Sequence, residues 1–259
     1  MLLELPTVLS FLIVAVLSAV LATLGLKLIR RKFSAEMMKE HHEVAGFIFN
    51  AFGLIYAVLV AFVVFATWTD FDNTKKDIEL EASCLSDLFF DSQGFPEPLR
   101  TSVQSAIIEY AETVVNEEWD YLARGESSPE GLAVTQKLWG AYLAADVKSL
   151  PNQPLYQESL KRLNNLGEYR RLRVLSAVNT IPFAIWLVVI LGAVVSIAYT
   201  YFFGTKNLAA QSIMTAVLAG TTGLILFLIY ILDHPFTGYN RITPEAFNLV
   251  LDLFKKMSP

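Results

Sequence analysis

The densest cluster of potential metal ligands in the 259-residue sequence is Glu40, His41, His42 and Glu43, whose imidazole and carboxylate groups suit a divalent ion. Consecutive positions on a helix point to different faces, so the four do not converge, and the segment reads as a solvated stretch bordering a membrane. Asp70, Asp72, Asp77 and Glu81 form a second acidic group. They lack the spacing and central glycine of a calcium loop and read as a solvated helix face. No GxSxG elbow, HExxH pair, phosphate-cradling glycine loop or dinucleotide fingerprint occurs, so no catalytic residue, metal site or cofactor is expected and the chain is not read as an enzyme. Cys84 is the single cysteine, which excludes an intrachain disulfide, a cysteine-clustered zinc site and a CxxC redox pair; it is expected to act as a small buried hydrophobe. The informative polar residue is Asn50. It sits in an apolar run where Gly46, Asn50, Gly53, Ala57 and Ala61 recur three or four residues apart, a stripe that suits close helix packing or the lining of a pore. An amide there needs a partner across helices or in a hydrated path. Ala216, Gly220 and Gly223, with Thr221 and Thr222, make a comparable face further along, and two such faces predict a self-associating bundle, a homo-oligomer.

The elements that carry these residues follow from composition. Hydrophobic residues make up 54% of the chain and charged residues only 17%, more apolar side chain than one soluble core of this size needs, so part of it must face a lipid bilayer. The net charge of −5 is small and the basic residues gather beside the apolar runs, so no nucleic-acid partner is expected. A helix needs roughly 20 apolar residues to cross the hydrocarbon, and four stretches qualify, at about 5–29, 44–68, 180–203 and 209–232. The first starts with Glu4 rather than a basic residue and ends in Arg30, Arg31 and Lys32 without a small-residue cleavage site, so it reads as a retained anchor. Trp68, Tyr199 and Tyr201 fall where interfacial aromatic belts belong. Basic residues divide evenly between the two sides of the spans, which leaves the orientation open.

Residues 69–179 read as helical throughout, with breaks at 94–98, 125–129 and 151–154, and the fold class is therefore all-α, an extramembrane bundle between the second and third spans. Ser128 before Pro129 and Glu130 predicts a helix start, and Asn152 a second one. The helix after Asn152 carries Leu160, Leu163, Leu166, Leu172 and Leu175 with arginines between them, and is expected to run unbroken into the third span; the second span is expected to continue to Leu85, Leu88 and Phe89. Within 233–259, Pro235 stops the fourth helix and Gly238 eases the turn, after which Thr243 and Pro244 restart a helix with Phe247, Val250, Leu251 and Phe254 on one face. That face is expected to dock on protein rather than on the bilayer surface.

Together, Gly46 to Phe49, Tyr56 to Val58, Phe62, Trp68, Glu81, Ala82, Leu85, Leu88, Tyr110, Glu118 and Trp119 resemble the bacterial membrane proteins described as bestrophin-like. So does the turn of Asp233, His234, Pro235, Phe236, Thr237 and Gly238 with Pro244 and Phe247 beyond; Asp233, Pro235, Phe236 and Gly238 are its most specific part. The resemblance implies a fold more strongly than an activity. Through a remote likeness to bestrophins, which are pentameric anion channels gated by calcium, it implies an oligomeric, channel-like protein of the bacterial inner membrane that conducts inorganic ions, with the second span nearest the axis and the helical domain as gate or sensor. No bestrophin calcium clasp or pore neck is found. The alternative is a non-conducting membrane scaffold or sensor that binds a protein partner through the helical domain.

Overall fold

The computed structural model describes residues 4–32, 42–203, 205 and 207–257, with the backbone alone for 42–45. Glu40 and His41 lie outside the described residues, and so do the side chains of His42 and Glu43. Among the described residues the chain is helical with no strand: α1 Thr7–Lys32, α2 His42–Ser92, α3 Leu99–Thr113, α4 Trp119–Ala123, α5 Pro129–Leu143, α6 Gln153–Val178, α7 Phe183–Tyr201, α8 Leu208–Leu232 and α9 Glu245–Met257. A π turn, Val114–Glu118, joins α3 to α4, and a short 3₁₀ turn, Val147–Ser149, follows α5. Helices α1, α2, α7 and α8 are each long and apolar enough to cross a membrane. The chain divides into two compact units, one of 1–70, 181–233 and 238–240, the other of 71–180, 234–237 and 241–259.

In the first unit, α8 lies along α1 and is held there by its small residues. A Cβ on Gly220 would stand 3.4 Å from the Ala15 carbonyl oxygen, and one on Gly223 would run into the Ser18 hydroxyl. Phe11 and Phe227 meet edge to face at 5.2 Å beside them. The face of Gly220 and Gly223, expected to serve self-association, is thus occupied by α1 of the same chain, because a helix pair in lipid gains most where backbones approach closely. Helix α2 is fastened to α7 differently. The Tyr56 ring packs against Gly192, and its hydroxyl donates to the Val189 carbonyl at 2.9 Å. Tyr199 stacks on Phe49 at 5.2 Å and Tyr201 packs against Gly25, so both tyrosines work between helices rather than only at an interfacial belt.

The second unit is built from amphipathic helices. Beyond Asp70, α2 buries Ile78, Ala82, Leu85, Leu88 and Phe89, the three- and four-residue spacing of one helix face. Helix α9 buries Phe247, Val250 and Phe254 in the same core, with Phe254 stacked on Phe89 at 4.3 Å, so its apolar face is covered by protein. The predicted caps are present: Ser128 accepts from the Gly131 amide at 3.0 Å, and Asn152 accepts from the Leu155 amide at 3.1 Å.

One expected continuity fails. Helix α6 stops at Val178, Asn179 is extended, and α7 begins only at Phe183. Pro182 disfavours the helical conformation for Ile181 and has no amide of its own, so the helix cannot pass through. The Ile181 amide freed by this break donates to the Asp233 carboxylate at 2.7 Å, and the Trp186 indole donates to the other oxygen at 3.3 Å. Replacing Asp233 with alanine leaves both donors without that acceptor and is expected to cost about 1–3 kcal/mol. Thermal unfolding of the detergent-purified variant checks this, and an unchanged midpoint would show that the break holds itself.

Candidate functional site

Four of the five residues of the predicted α2 stripe are open. Nothing lies within 4 Å of the Cβ position of Gly53, Ala57 and Ala61 are exposed, and Asn50 is exposed with no hydrogen-bond partner among the described residues. Gly46 meets only the edge of the Phe203 ring, at 4.0 Å. Gly53, Ala57 and Ala61, with Tyr56, Trp68 and Thr221, border a groove of about 770 Å³ on the face of α2 and α8. The stripe therefore lies on one side of the helix as the spacing implied, and Gly53, Ala57 and Ala61 are not packed by the rest of the chain.

The turn after α8 spreads its residues over several tasks. Asp233 caps the broken start of α7, as described. Pro235 and Phe236 are buried; the Pro235 carbonyl accepts from the Ile242 amide at 2.8 Å, and Phe236 meets Trp119 edge to face at 5.9 Å. Gly238 has φ of 79°, the left-handed region where a side chain is strained, so glycine is required there. Each of the four residues has its own local task. They end one helix and start another.

The second unit holds a buried ionic cluster that the sequence reading did not assemble. Arg173, fully buried, donates from Nε and Nη2 to the two oxygens of Glu81 at 2.7 and 2.9 Å, and from Nη2 to Glu118 at 2.6 Å. Arg170 pairs with the other oxygen of Glu118, and the Tyr110 hydroxyl donates to Glu81 at 2.5 Å. The Arg173 guanidinium also lies over the Trp119 and Phe247 rings, at 5.4 and 5.7 Å from their centres. Trp119 is fixed in turn by donating to the Ile242 carbonyl at 2.8 Å. A signal for the cluster exists in the sequence. Leu163, Leu166, Arg170 and Arg173 share one helix face, and that face is the buried one, while Leu172 and Leu175 are 40% and 52% exposed. Leucine identity misled where position along the helix would have pointed to the arginines.

Two local features place Glu118. The π turn shifts the helix register just before it, and Gly131 leaves the space its carboxylate occupies, since a Cβ there would collide with it. Burial alone would raise the Glu118 pKa, but Arg173 and Arg170 outweigh it and hold the carboxyl below its ordinary value. Burial would lower the Arg173 pKa, and Glu81 with Glu118 instead keeps it well above its ordinary value. Burial, then the Glu81 charge, raise the Tyr110 pKa well above its ordinary value. Two cations answer two anions, and no group is left as a free acid, base or nucleophile. Cys84 is half-buried, and burial, with Asp87 and Glu81 nearby, pushes its thiol up to about 11, so it stays an inert thiol.

Among the described residues, four membrane-length helices and a helical unit closed by buried ion pairs define the class, a helical integral membrane protein. A Bestrophin-like domain model matches residues 12–247, and the chain belongs to that family. No curated protein sequence matches it. Among solved structures, it is similar to a variant of a bacterial bestrophin homolog from Klebsiella pneumoniae, with 14% identity, TM-score 0.73, and coverage of 94% of this chain and 98% of that one. Another crystal structure of the Klebsiella pneumoniae homolog gives 13% identity and TM-score 0.68 over 97% of this chain and 98% of that one. At such identity the likeness establishes a shared fold.

Arg173→Ala strips two buried carboxylates of their common partner and is expected to cost about 3–5 kcal/mol of stability. The acid response follows from Glu118. A carboxyl whose folded pKa is lowered stabilises the fold at pH above its ordinary 4.5, and this contribution disappears as pH falls below 4.5 through the lowered value. Unfolding of the detergent-purified protein, followed by circular dichroism against pH, should show this loss in the native chain and a smaller one in Glu118→Gln. Superimposable acid profiles would remove Glu118 from the account.

Proposed function

We propose that the protein is an oligomeric, channel-like membrane protein that conducts ions, with α2 nearest the symmetry axis and the second unit as gate or sensor, in the bacterial inner membrane. The observation that carries this reading is the uncovered α2 stripe. Gly220 and Gly223 of α8 are occupied by α1 of the same chain, whereas Gly53, Ala57 and Ala61 are left open. An unsatisfied amide such as that of Asn50 costs several kcal/mol in hydrocarbon, so it calls for another protomer or water. Closed symmetric assembly meets both needs, since each copy presents the same face to the same surroundings. Family membership supports the reading through the likeness to bestrophin channels. No charged side chain stands well inside the α2 span, which suits a pore lined by neutral groups. A second reading, a non-conducting scaffold that binds a protein partner, draws on Leu132 and Leu143 of α5, which are 51% and 72% exposed outside the spans.

Native mass measurement in detergent should give a single closed oligomer, and Gly53→Leu should weaken it by blocking close approach. A Cys84→Ala background with a cysteine at position 50 should react with a water-soluble thiol reagent in liposomes. Ion flux above that of empty liposomes is expected on reconstitution with several anions and cations. A monomer without flux under any of them would overturn the channel reading and leave the scaffold.

A further inference from the structure

A cleft of about 530 Å³ opens in the second unit between α2 and the start of α9. Its walls carry two cations, Lys75 and Arg241, and two carboxylates, Glu79 and Glu245, with Phe71 and Ile242 among its apolar lining. The charges are balanced yet loosely paired. Lys75 stands 3.9 Å from Glu79 with both side chains more than half exposed, and neither Arg241 nor Glu245 has an ion-pair partner among the described residues. A lone phosphate would face the two carboxylates, and a metal ion would face the two cations. A ligand carrying one anion and one ammonium close together answers all four side chains, with charge-assisted hydrogen bonds at each end.

Position along α2 favours a lipid as the source. Phe71 follows Trp68 by less than one helical turn, and Lys75 lies about 10 Å of helix rise beyond Trp68. The polar layer on each side of a bilayer is about 5–7 Å thick, and a lysine side chain adds its own reach toward it. We propose that this cleft binds the phosphoethanolamine headgroup of a membrane lipid, with Lys75 and Arg241 taking the phosphate and Glu79 and Glu245 the ammonium. Phe71 and Ile242 would lie against the start of the apolar part. The proposal stands apart from ion conduction, because it needs neither a pore nor an oligomer.

The test is native mass spectrometry of the full-length protein released from nanodiscs that contain phosphatidylethanolamine, phosphatidylcholine or phosphatidylglycerol of matched acyl chains. The native protein should retain phosphatidylethanolamine about threefold or more over the other two, the size expected for exposed ion pairs. Phosphatidylcholine has the charge but no N–H to donate, and phosphatidylglycerol lacks the cation. The double variant E79Q with E245Q should lose the preference for phosphatidylethanolamine over phosphatidylcholine and hold phosphatidylglycerol best, because Lys75 and Arg241 are then uncompensated, and K75Q with R241Q should lose retention of all three. These side chains are on the surface, so unchanged melting verifies folding; should either double variant misfold, E245Q and R241Q singly carry the same comparison. Equal retention of the three lipids by the native protein would overturn the proposal, and so would its strongest retention of phosphatidylglycerol or phosphatidylcholine, or a phosphatidylethanolamine preference that survives E79Q with E245Q. Free phosphoethanolamine binding as tightly as the lipid would assign the cleft to a soluble zwitterion and overturn the lipid reading.

Discussion

Taking a guanidinium out of water costs several kcal/mol even after the surroundings relax, so the core around Arg173 can close only once that charge is answered. Glu81 answers it with two hydrogen bonds and Glu118 with a third, and each acid arrives on a different element. The demand of one side chain therefore sets where α2, the π turn and α6 meet. Tyr110 ties α3 to the same point through Glu81, and the Phe247 ring brings α9 against the guanidinium. Charge balance among Arg170, Arg173, Glu81 and Glu118 makes the cluster a joint, with nothing in it free to do chemistry.

The membrane unit is governed by another constraint. Lipid tails are as apolar as leucine, so helices there associate through close contact and polar satisfaction rather than through burial of oily surface. The two small-residue faces are alike in composition and differ in what meets them. On α8 the glycines admit α1, whereas on α2 the glycine at position 53 meets nothing of its own chain. Tyr56 secures α2 to α7 from a neighbouring face and leaves the stripe clear.

Periodicity and length made the spans legible, and capping chemistry made the helix starts at Ser128 and Asn152 legible, because those signals act over a few residues. The stop ahead of Pro182 rests on the restriction that proline places on the residue before it, a weaker signal than the leucine periodicity that runs up to it. Asp233 was legible only as part of a turn, since its hydrogen bond to Ile181 joins residues more than fifty positions apart. The ionic cluster was hidden for a related reason. Its acids and arginines lie far apart in the chain, and isolated charges on a helix read as solvated until the packing around them is known. Whether the α8 face turned outward or inward depended likewise on α1, which no local pattern specifies.

The π turn at Val114–Glu118 adds one residue to what would otherwise be a regular helix from α3 to α4. Closing that turn into ordinary α-helix with every residue kept would rotate everything after it by about 100° relative to α3. Glu118 and Trp119 would then face away from Arg173, and the collision space kept open by Gly131 would serve nothing. Loss of one residue from the turn would instead let the helix close regularly with that facing kept, so here the chain's length can change by one without moving the cluster.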